Sequence, residues 1–214
     1  MKVFRTETLQ DTAYAEIASL LKSGGIIAFP TDTAYGLAAD PFNETAVDRI
    51  FRIKGRLETK PILLLVDSVR MAESVIYPTD VFYRVVEAFW PGPLTIIMHA
   101  VVSLPARVSA GTKTVGVRWP IAAFATGLVS RFGSPVTATS ANRSGMPSPV
   151  TAEEVQRQLG DSVDALVDGG VLPSSGGSTL LDLTADLPVL LREGPVPFET
   201  LVEFFEGRIR RRVA

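Results

Sequence analysis

Short apolar segments rich in β-branched residues alternate along this chain with segments that have the periodicity of amphipathic helices. Helical faces are expected over residues 17–21, 47–54, 81–89, 122–132 and 198–205, and Thr151 to Glu154 is typical of a capping box that opens another helix. Strands are expected at residues 25–29, 62–66, 94–99, 114–119, 136–139, 165–167, 179–183 and 189–191. Alternation of this kind favours an α/β fold.

The strand patterns predict a twisted, mixed sheet flanked by helices. Several strands are apolar on both faces, which favours helices on both sides of the sheet. Residues 94–99 and 114–119 have no helical pattern between them, so antiparallel pairs are expected within the sheet. A length of 214 residues suits one domain, and we expect residues 1–214 to form it.

The composition excludes several classes of function. The chain has no cysteine, which removes disulfides, thiolate nucleophiles and cysteine-ligated zinc. Its one histidine, His99, ends an apolar strand, so a core or edge role is expected and histidine-based catalysis is disfavoured. The net charge of −2 gives no global attraction for nucleic acid or membranes. We find no secretory signal or membrane-spanning segment and expect a cytoplasmic location.

Two segments far apart in the sequence carry groups that suit a polyphosphate. Lys54-Gly55-Arg56 places cations at the end of a helix, and Lys60 follows in the exit loop. The segment Ser140-Ala141-Asn142 follows a strand and precedes a loop rich in Gly, Ser and Pro. Complementation of the helix dipole explains Lys54 but not the two cations beyond the glycine. We therefore expect the fold to bring both segments to the same phosphates.

Further polar residues lie where strands end. Thr31 and Thr33 occupy an irregular stretch after the first strand, which suits a small polar ligand or a plain turn. Arg118 ends a strand, where it could clamp a carboxylate or form a rim salt bridge, and Arg192 poses the same choice. Carboxylates of the type that binds Mg²⁺ also lie near strand ends, and nothing distinguishes one of them: Asp32, Asp168 and Asp182.

Cations and hydroxyls without an evident nucleophile or base indicate phosphoryl or nucleotidyl transfer, which can proceed by positioning and charge neutralisation. The loop at 171–178 is either a lid or a surface loop without a role. The basic tail at 207–214 is expected to be a frayed, solvated terminus, with an RNA contact as the alternative.

A set of motifs that occurs in one order resembles the YrdC/TsaC family of threonylcarbamoyl-adenylate synthases. The likeness runs from about residue 13 to residue 196 and is to the short, single-domain form. The motifs are FPTDTAYGL at 29–37, KGR at 54–56 with KP at 60–61, PGPLT at 91–95, VRWP at 117–120, TSAN at 139–142, SG at 144–145, PSP at 147–149, ST at 178–179 and REG at 192–194.

The resemblance implies a nucleotidyltransferase with a concave basic cleft. It implies formation of threonylcarbamoyl-AMP from L-threonine, bicarbonate (or CO₂) and ATP, with release of pyrophosphate and with Mg²⁺ accompanying ATP. The product would serve threonylcarbamoyladenosine formation at position 37 of tRNA, after handover to a separate tRNA threonylcarbamoyl transferase.

The resemblance also implies roles for particular residues. Lys54 and Arg56 would be catalytic by neutralising phosphate charge. The ATP contacts would be Lys54, Arg56, Glu58, Thr114, Ser140, Asn142, Ser148 and Arg192. The threonine contacts would be Thr31, Arg118 and Ser178 through side chains and Ala138 through its backbone. At Leu65 the family often has a histidine, and Leu57-Glu58 stands where a proline and a small residue are commoner.

Two alternatives remain beside this interpretation. A non-catalytic module for double-stranded RNA or tRNA is disfavoured by the net charge and by the lack of an extended basic face. A related carbamoyl-adenylate chemistry occurs in hydrogenase-maturation proteins, whose zinc-finger and acylphosphatase-like parts do not appear in this sequence. Threonine-dependent conversion of ATP to pyrophosphate separates both from the synthase.

Overall fold

The computed structural model describes residues 1–8, 10–55, 61–173 and 176–212. The helices in this part of the chain are α1 (Asp11–Lys22), α2 (Glu44–Lys54), α3 (Val69–Glu73), α4 (Asp80–Phe89), α5 (Ala106–Ser109), α6 (Ala123–Phe132), α7 (Ala152–Leu159) and α8 (Phe198–Phe204). The strands are β1 (Lys2–Arg5), β2 (Ile27–Pro30), β3 (Tyr35–Ala38), β4 (Leu64–Leu65), β5 (Leu94–His99), β6 (Thr114–Arg118), β7 (Val136–Thr137), β8 (Thr139–Ser140), β9 (Ala165–Asp168), β10 (Thr179–Asp182), β11 (Val189–Arg192) and β12 (Arg210–Arg211).

The strands of the described part of the chain form two sheets. One has five strands in the order β1-β9-β2-β3-β8, and the other has seven in the order β12-β11-β10-β5-β6-β4-β7. Both are mixed: β5 runs parallel to β10 and antiparallel to β6, and β2 runs parallel to β9 and antiparallel to β3. The predicted mixed α/β architecture is confirmed, with its strands divided between two sheets instead of one.

Side-chain alternation gives the seven-stranded sheet one core face and one open face. On β5 and β6, Ile96 and Val117 are fully buried and belong to the larger hydrophobic core, which joins the two sheets. Their chain neighbours Ile97 and Gly116 line a cavity instead. Because successive residues of a strand point to opposite faces, the core holds one side of this sheet in place and leaves the other side for a ligand.

A second hydrophobic cluster covers the far side of the five-stranded sheet. Phe29 of β2 points into this cluster, together with residues of α1 and α6, whereas its neighbour Ala28 points into the larger core. Leu65 is fully buried in the second cluster. The leucine at this position is therefore a packing residue.

The helix caps follow the sequence signals. The Oγ1 of Thr151 accepts a hydrogen bond from the backbone N–H of Glu154 at 3.2 Å, and the Glu154 carboxylate accepts one from the N–H of Val150 at 2.7 Å. The predicted N-cap at Thr151 is thus confirmed at the start of α7, and the Glu154 carboxylate reaches back to the residue before the N-cap instead of to the N-cap N–H of a standard capping box. Helix α2 is capped at its C-terminus by Gly55, whose φ of 56° is left-handed and is readily adopted by glycine.

Three segments fold differently from the sequence-based expectation. Residues 35–38, for which no strand was expected, form β3. Residues 136–139, expected as one strand, divide between β7 of the seven-stranded sheet and β8 of the five-stranded sheet. The prediction of a frayed tail is wrong for Arg210–Arg211, which pairs with β11, while residues 213–214 lie outside the described residues. Strands β7, β8 and β12 are stabilised by partners distant in sequence, and β3 pairs both with the adjacent β2 and with the distant β8; local patterns do not reveal these pairings.

None of the helices in the described ranges has the length and apolarity needed to cross a membrane.

Candidate active site

A cavity of about 640 Å³ lies where the two sheets meet. Its floor is the open face of the seven-stranded sheet, and one wall is formed by the turn between β2 and β3 together with β8. The opposite wall comes from residues 176–178 and from Arg192. The cavity therefore collects strand ends and turns from both sheets, where backbone and side-chain polar groups are left for a ligand.

The change of sheet at Ala138 positions one wall of the cavity. The backbone N–H of Ala138 donates to the carbonyl of Leu63 at 2.9 Å, and the following residues pair with β3. This crossing brings Ala138, Thr139 and Ser140 to the cavity. The backbone of this segment, and not only its side chains, is thereby presented to a ligand.

Arg118 lies at the end of β6 and points into the cavity although its side chain is only 4% exposed. Its Nη1 donates to the Oγ1 of Thr33 at 3.2 Å and lies 3.6 Å from the carboxylate of Asp32. Burial lowers the pKa of the guanidinium, the Asp32 charge opposes this shift, and the charge of Arg192 adds to it. A cation kept in a buried position is suited to bind a carboxylate in two hydrogen bonds.

The two threonines of the β2–β3 turn are tied to one another. The hydroxyl of Thr31 donates to the carbonyl of Ala34 at 2.7 Å and lies 3.2 Å from the hydroxyl of Thr33. The same oxygen accepts from the N–H groups of Thr33 and Ala34. Both threonines also line the cavity, so this segment is a hydroxyl-stabilised turn that faces the site.

The opposite wall is fixed by Ser178 and Arg192. The Ser178 hydroxyl lies 2.7 Å from the hydroxyl of Thr95, and its carbonyl accepts from Nε and Nη2 of Arg192 at 3.1 and 2.8 Å. Removal from bulk water lowers the pKa of Arg192. Gly177 and Ser178 of the 171–178 loop line the cavity, whereas residues 174–175 lie outside the described part.

The predicted proximity of the two separated segments is confirmed by direct contacts. The ammonium of Lys54, the last residue of α2, donates to the backbone carbonyls of Ser140 and Asn142, the latter at 2.8 Å, and to the Asn142 side-chain oxygen at 3.2 Å. Lys54 is 3% exposed. A lysine whose protons are directed at these oxygens holds the 140–142 corner in shape; whether it also reaches a phosphate stays a prediction.

The structure brings most of the predicted site residues to one cavity. Two predicted residues, Lys54 and Asn142, lie at its margin and do not line it, and Arg56 and Glu58 lie outside the described residues. The predicted residues that line it are Thr31, Thr114, Arg118, Ala138, Ser140, Ser148, Ser178 and Arg192. Their roles as ATP and threonine ligands stay predictions, as does the basic character of the cleft.

Sequence reasoning missed some residues of the cavity. Tyr35 and Arg212 line it from β3 and from the chain after β12, two strands that were not predicted. Asp182, considered only as one of several Mg²⁺-type carboxylates, lines the floor two residues after Leu180. The alternation from Ser178 through Leu180 to Asp182 could have placed the carboxylate on the site face, because strand residues two apart share a face.

Tyr35 is a fixed part of the wall and is not suited to proton transfer. Its hydroxyl donates to the carbonyl of Gly170 at 2.8 Å and accepts from the N–H of Gly169 at 2.9 Å. Burial raises the pKa of Tyr35 to about 12, with the nearby Asp168 charge contributing in the same direction. The phenol therefore stays protonated at neutral pH.

The chain is similar in sequence and in fold to proteins that are named as synthases. The Sua5/YciO/YrdC family model, described as "Telomere recombination", matches residues 19–194. A threonylcarbamoyl-AMP synthase of Bacillus subtilis is 37% identical over 89% of this chain and 56% of its own length, and one of Halorhodospira halophila is 36% identical over 71% and 80%. The crystal structure of Pyrococcus abyssi Sua5 complexed with L-threonine is 34% identical, with a TM-score of 0.93 over 99% of this chain and 62% of that one. The chain thus spans little more than half of some of the relatives that it matches.

Proposed function

Since the chain belongs to the Sua5/YciO/YrdC family, we propose that it is a threonylcarbamoyl-AMP synthase. Its substrates would be L-threonine, bicarbonate or CO₂, and ATP, and pyrophosphate would be released. The relatives named for this activity and the Sua5 complex with L-threonine support the assignment. A cytoplasmic location and handover of the product to a separate tRNA-modifying transferase stay predictions from the sequence.

The observation that carries the proposal is the pairing of two kinds of site in one cavity. Arg118, with Thr31 and Ser178 on the facing walls, is a set of groups for an amino acid. The Ser140 corner, held by Lys54, presents a hydroxyl and backbone groups to the same space. An amino acid and a triphosphate that share one cavity have their reacting atoms held close, and such positioning can supply much of the acceleration.

The chemical steps follow from these positions. Arg118 binds the threonine carboxylate, so the amine faces the cavity. The unprotonated amine attacks CO₂ to give a carbamate, with loss of one proton to solvent. A carbamate oxygen then attacks the α-phosphorus of ATP, and the bond to the β-phosphate oxygen breaks to release pyrophosphate. Cationic groups near the phosphates stabilise the charge that develops in this step.

Mg²⁺ is proposed to enter with ATP. Among the described residues, no three His, Cys, Asp or Glu side chains cluster as a metal site. Mg²⁺ commonly keeps several waters and is held by substrate phosphates with one or two carboxylates. The residues present therefore fit an ion that arrives as the ATP complex, and we expect pyrophosphate formation to stop when Mg²⁺ is chelated.

A pyrophosphate assay that omits threonine, bicarbonate and ATP in turn tests the proposed function. The synthase requires all three, and the product should carry label from both [¹⁴C]threonine and ATP. ATP turnover that is independent of threonine would contradict it. Turnover with carbamoyl phosphate in place of threonine and bicarbonate would assign the related chemistry instead, and RNA binding without turnover would favour the binding module.

A further inference from the structure

A carboxylate on the floor of the cavity has no part in the proposed chemistry. Asp182 ends β10, where it pairs with Ile97, and it lines the cavity on the same face as Leu180. Its Oδ1 accepts two hydrogen bonds from Thr184, from the backbone N–H at 2.9 Å and from the hydroxyl at 2.7 Å. No described residue donates to its Oδ2. One oxygen is thus used to fix the side chain and the other is left for a ligand.

The charge of Asp182 indicates which part of a ligand can lie beside it. A carboxylate repels phosphates and the carboxylate of an amino acid, so this end of the floor suits neither. Asp182 and Arg118 are separated by two strand spacings and by two residues along the strands, which places their Cα atoms about 12 Å apart. Asp182 is therefore away from the amino-acid clamp and can accept a hydrogen bond from a ligand donor.

The surroundings of Asp182 suit a flat aromatic group. Ile97, Leu180 and Leu191 form an apolar patch on this part of the floor. Arg212 lines the same cavity from the edge of the sheet, where its backbone N–H donates to the carbonyl of Leu190 at 2.9 Å. Guanidinium groups stack on aromatic planes, so an apolar floor with an arginine at its edge can hold a purine.

We propose that Asp182 reads the nucleobase of the nucleotide substrate, by accepting a hydrogen bond at Oδ2 from an exocyclic amine. Adenine carries such an amine at position 6, whereas guanine and hypoxanthine carry an acceptor oxygen there. The ring donors of guanine and hypoxanthine lie at N1, and guanine has a further amine at position 2, so either base held in the adenine orientation would set its position-6 oxygen against the carboxylate. In that orientation the site selects ATP over GTP and ITP. The inference rests on the proposed function, because it takes the nucleotide site to be this cavity.

The variant Asp182→Asn tests the inference, because it should shift the preference of the enzyme from ATP towards GTP. The two bonds from Thr184 fix the acceptor side of the new amide, so its NH₂ group replaces Oδ2 and faces the cavity. A donor there repels the adenine amine and matches the guanine oxygen. We expect the ratio of kcat/KM for ATP to that for GTP to fall at least about 10-fold. An equal loss with both nucleotides would overturn the inference.

A second readout uses the unaltered protein and does not depend on how the variant folds. ITP and purine riboside triphosphate both lack the amine, and each should be used at least about 10-fold less well than ATP. Equal use of ITP and ATP would overturn base reading by Asp182. Arg212→Gln should weaken ATP binding. Arg210→Gln, the same change in the same exposed tail, is the control and should not. Equal effects of the two changes would show that Arg212 does not contact the nucleotide.

Direct binding separates this inference from the proposed function. Calorimetry with ATP and GTP measures base preference without turnover. If ATP binds more tightly than GTP and Asp182→Asn reverses this, the inference holds even where threonine-dependent pyrophosphate formation is absent and the proposed function fails. If turnover is normal and the nucleotides bind alike, the function stands and the base-reading role of Asp182 is wrong.

Discussion

Arg118 lies with its Nη1 3.6 Å from the Oδ2 of Asp32, and the two side chains are only 4% and 11% exposed. That separation is too long for a hydrogen bond. Among the described residues, both carboxylate oxygens of Asp32 and the Nε of Arg118 are buried without a hydrogen-bond partner. The pair is therefore held by charge, and Asp32 acts as the counter-ion that keeps a buried guanidinium at the cavity.

Asp32→Asn should weaken both the fold and the amino-acid site. It leaves the Arg118 charge buried without compensation, so we expect the free energy of unfolding to fall by about 3 kcal/mol. The KM for threonine should rise more than the KM for ATP, because the clamp loses its orientation. Urea unfolding and steady-state kinetics measure the two effects. Asp161→Asn, at a side chain that is 93% exposed, is the control; an unchanged threonine KM in Asp32→Asn would contradict the role.

Lys54→Ala should impair catalysis and stability together. Loss of the ammonium is expected to reduce the stabilisation of the transition state by about 2–4 kcal/mol, and kcat/KM for pyrophosphate formation should fall accordingly. The carbonyls of Ser140 and Asn142 also lose a donor, so the free energy of unfolding should fall by about 1–3 kcal/mol. Lys22→Ala, at an exposed residue of α1, should change neither. Normal pyrophosphate release by Lys54→Ala would leave the lysine a purely structural role.

Gly194→Ala should disturb the wall that carries Ser178. A Cβ at this position would lie 2.6 Å from the backbone nitrogen of Thr179 and 2.7 Å from the carbonyl of Gly177. Since these are backbone atoms, the segment must move, and overpacking of this kind destabilises by about 1–3 kcal/mol. We expect threonine binding, measured by calorimetry, to weaken. Gly127→Ala, in α6, should leave it unchanged, and intact threonine affinity in Gly194→Ala would argue against Ser178 as a ligand.

Asp164 should make stability depend on acid pH. Burial raises the pKa of this carboxyl, but a 2.7 Å bond from the N–H of Ile26 and the Arg49 charge outweigh burial, and the pKa is lowered. A folded-state pKa below the unfolded value of about 3.9 adds stability at neutral pH that is lost as the pH falls through the folded-state pKa. Because the Asp164 side chain is 36% exposed and solvent screens its charge, Asp164→Ala should lower the free energy of unfolding by only about 1 kcal/mol at neutral pH. Urea unfolding of the unaltered protein and the variant, at neutral pH and at a pH below the folded-state pKa, should show that their difference in unfolding free energy shrinks in acid. A difference that is independent of pH would contradict the charge-based account.

Local patterns were sufficient for elements whose stability comes from their own periodicity and caps. Strand β5 has the predicted bounds, 94–99, and α7 begins at its predicted N-cap. The ordered motifs also indicated cavity residues: Thr31 follows β2, Arg118 ends β6 and Ser178 precedes β10. By contrast, β12 and β3 carry no local signal strong enough to be predicted. Each forms because an edge or a neighbouring strand offers hydrogen bonds to it.

The sequence by itself determined the α/β class, the family and eight of the residues that line the cavity. It did so because periodicity, caps and ordered motifs are properties of neighbouring residues. The tertiary structure alone decided that the chain changes sheets at Ala138 and that Asp182 faces the site. It also decided that the Lys54 ammonium donates hydrogen bonds to the backbone carbonyls of Ser140 and Asn142. These depend on which distant strands pair and in what register, and pairing energies are summed over the whole fold.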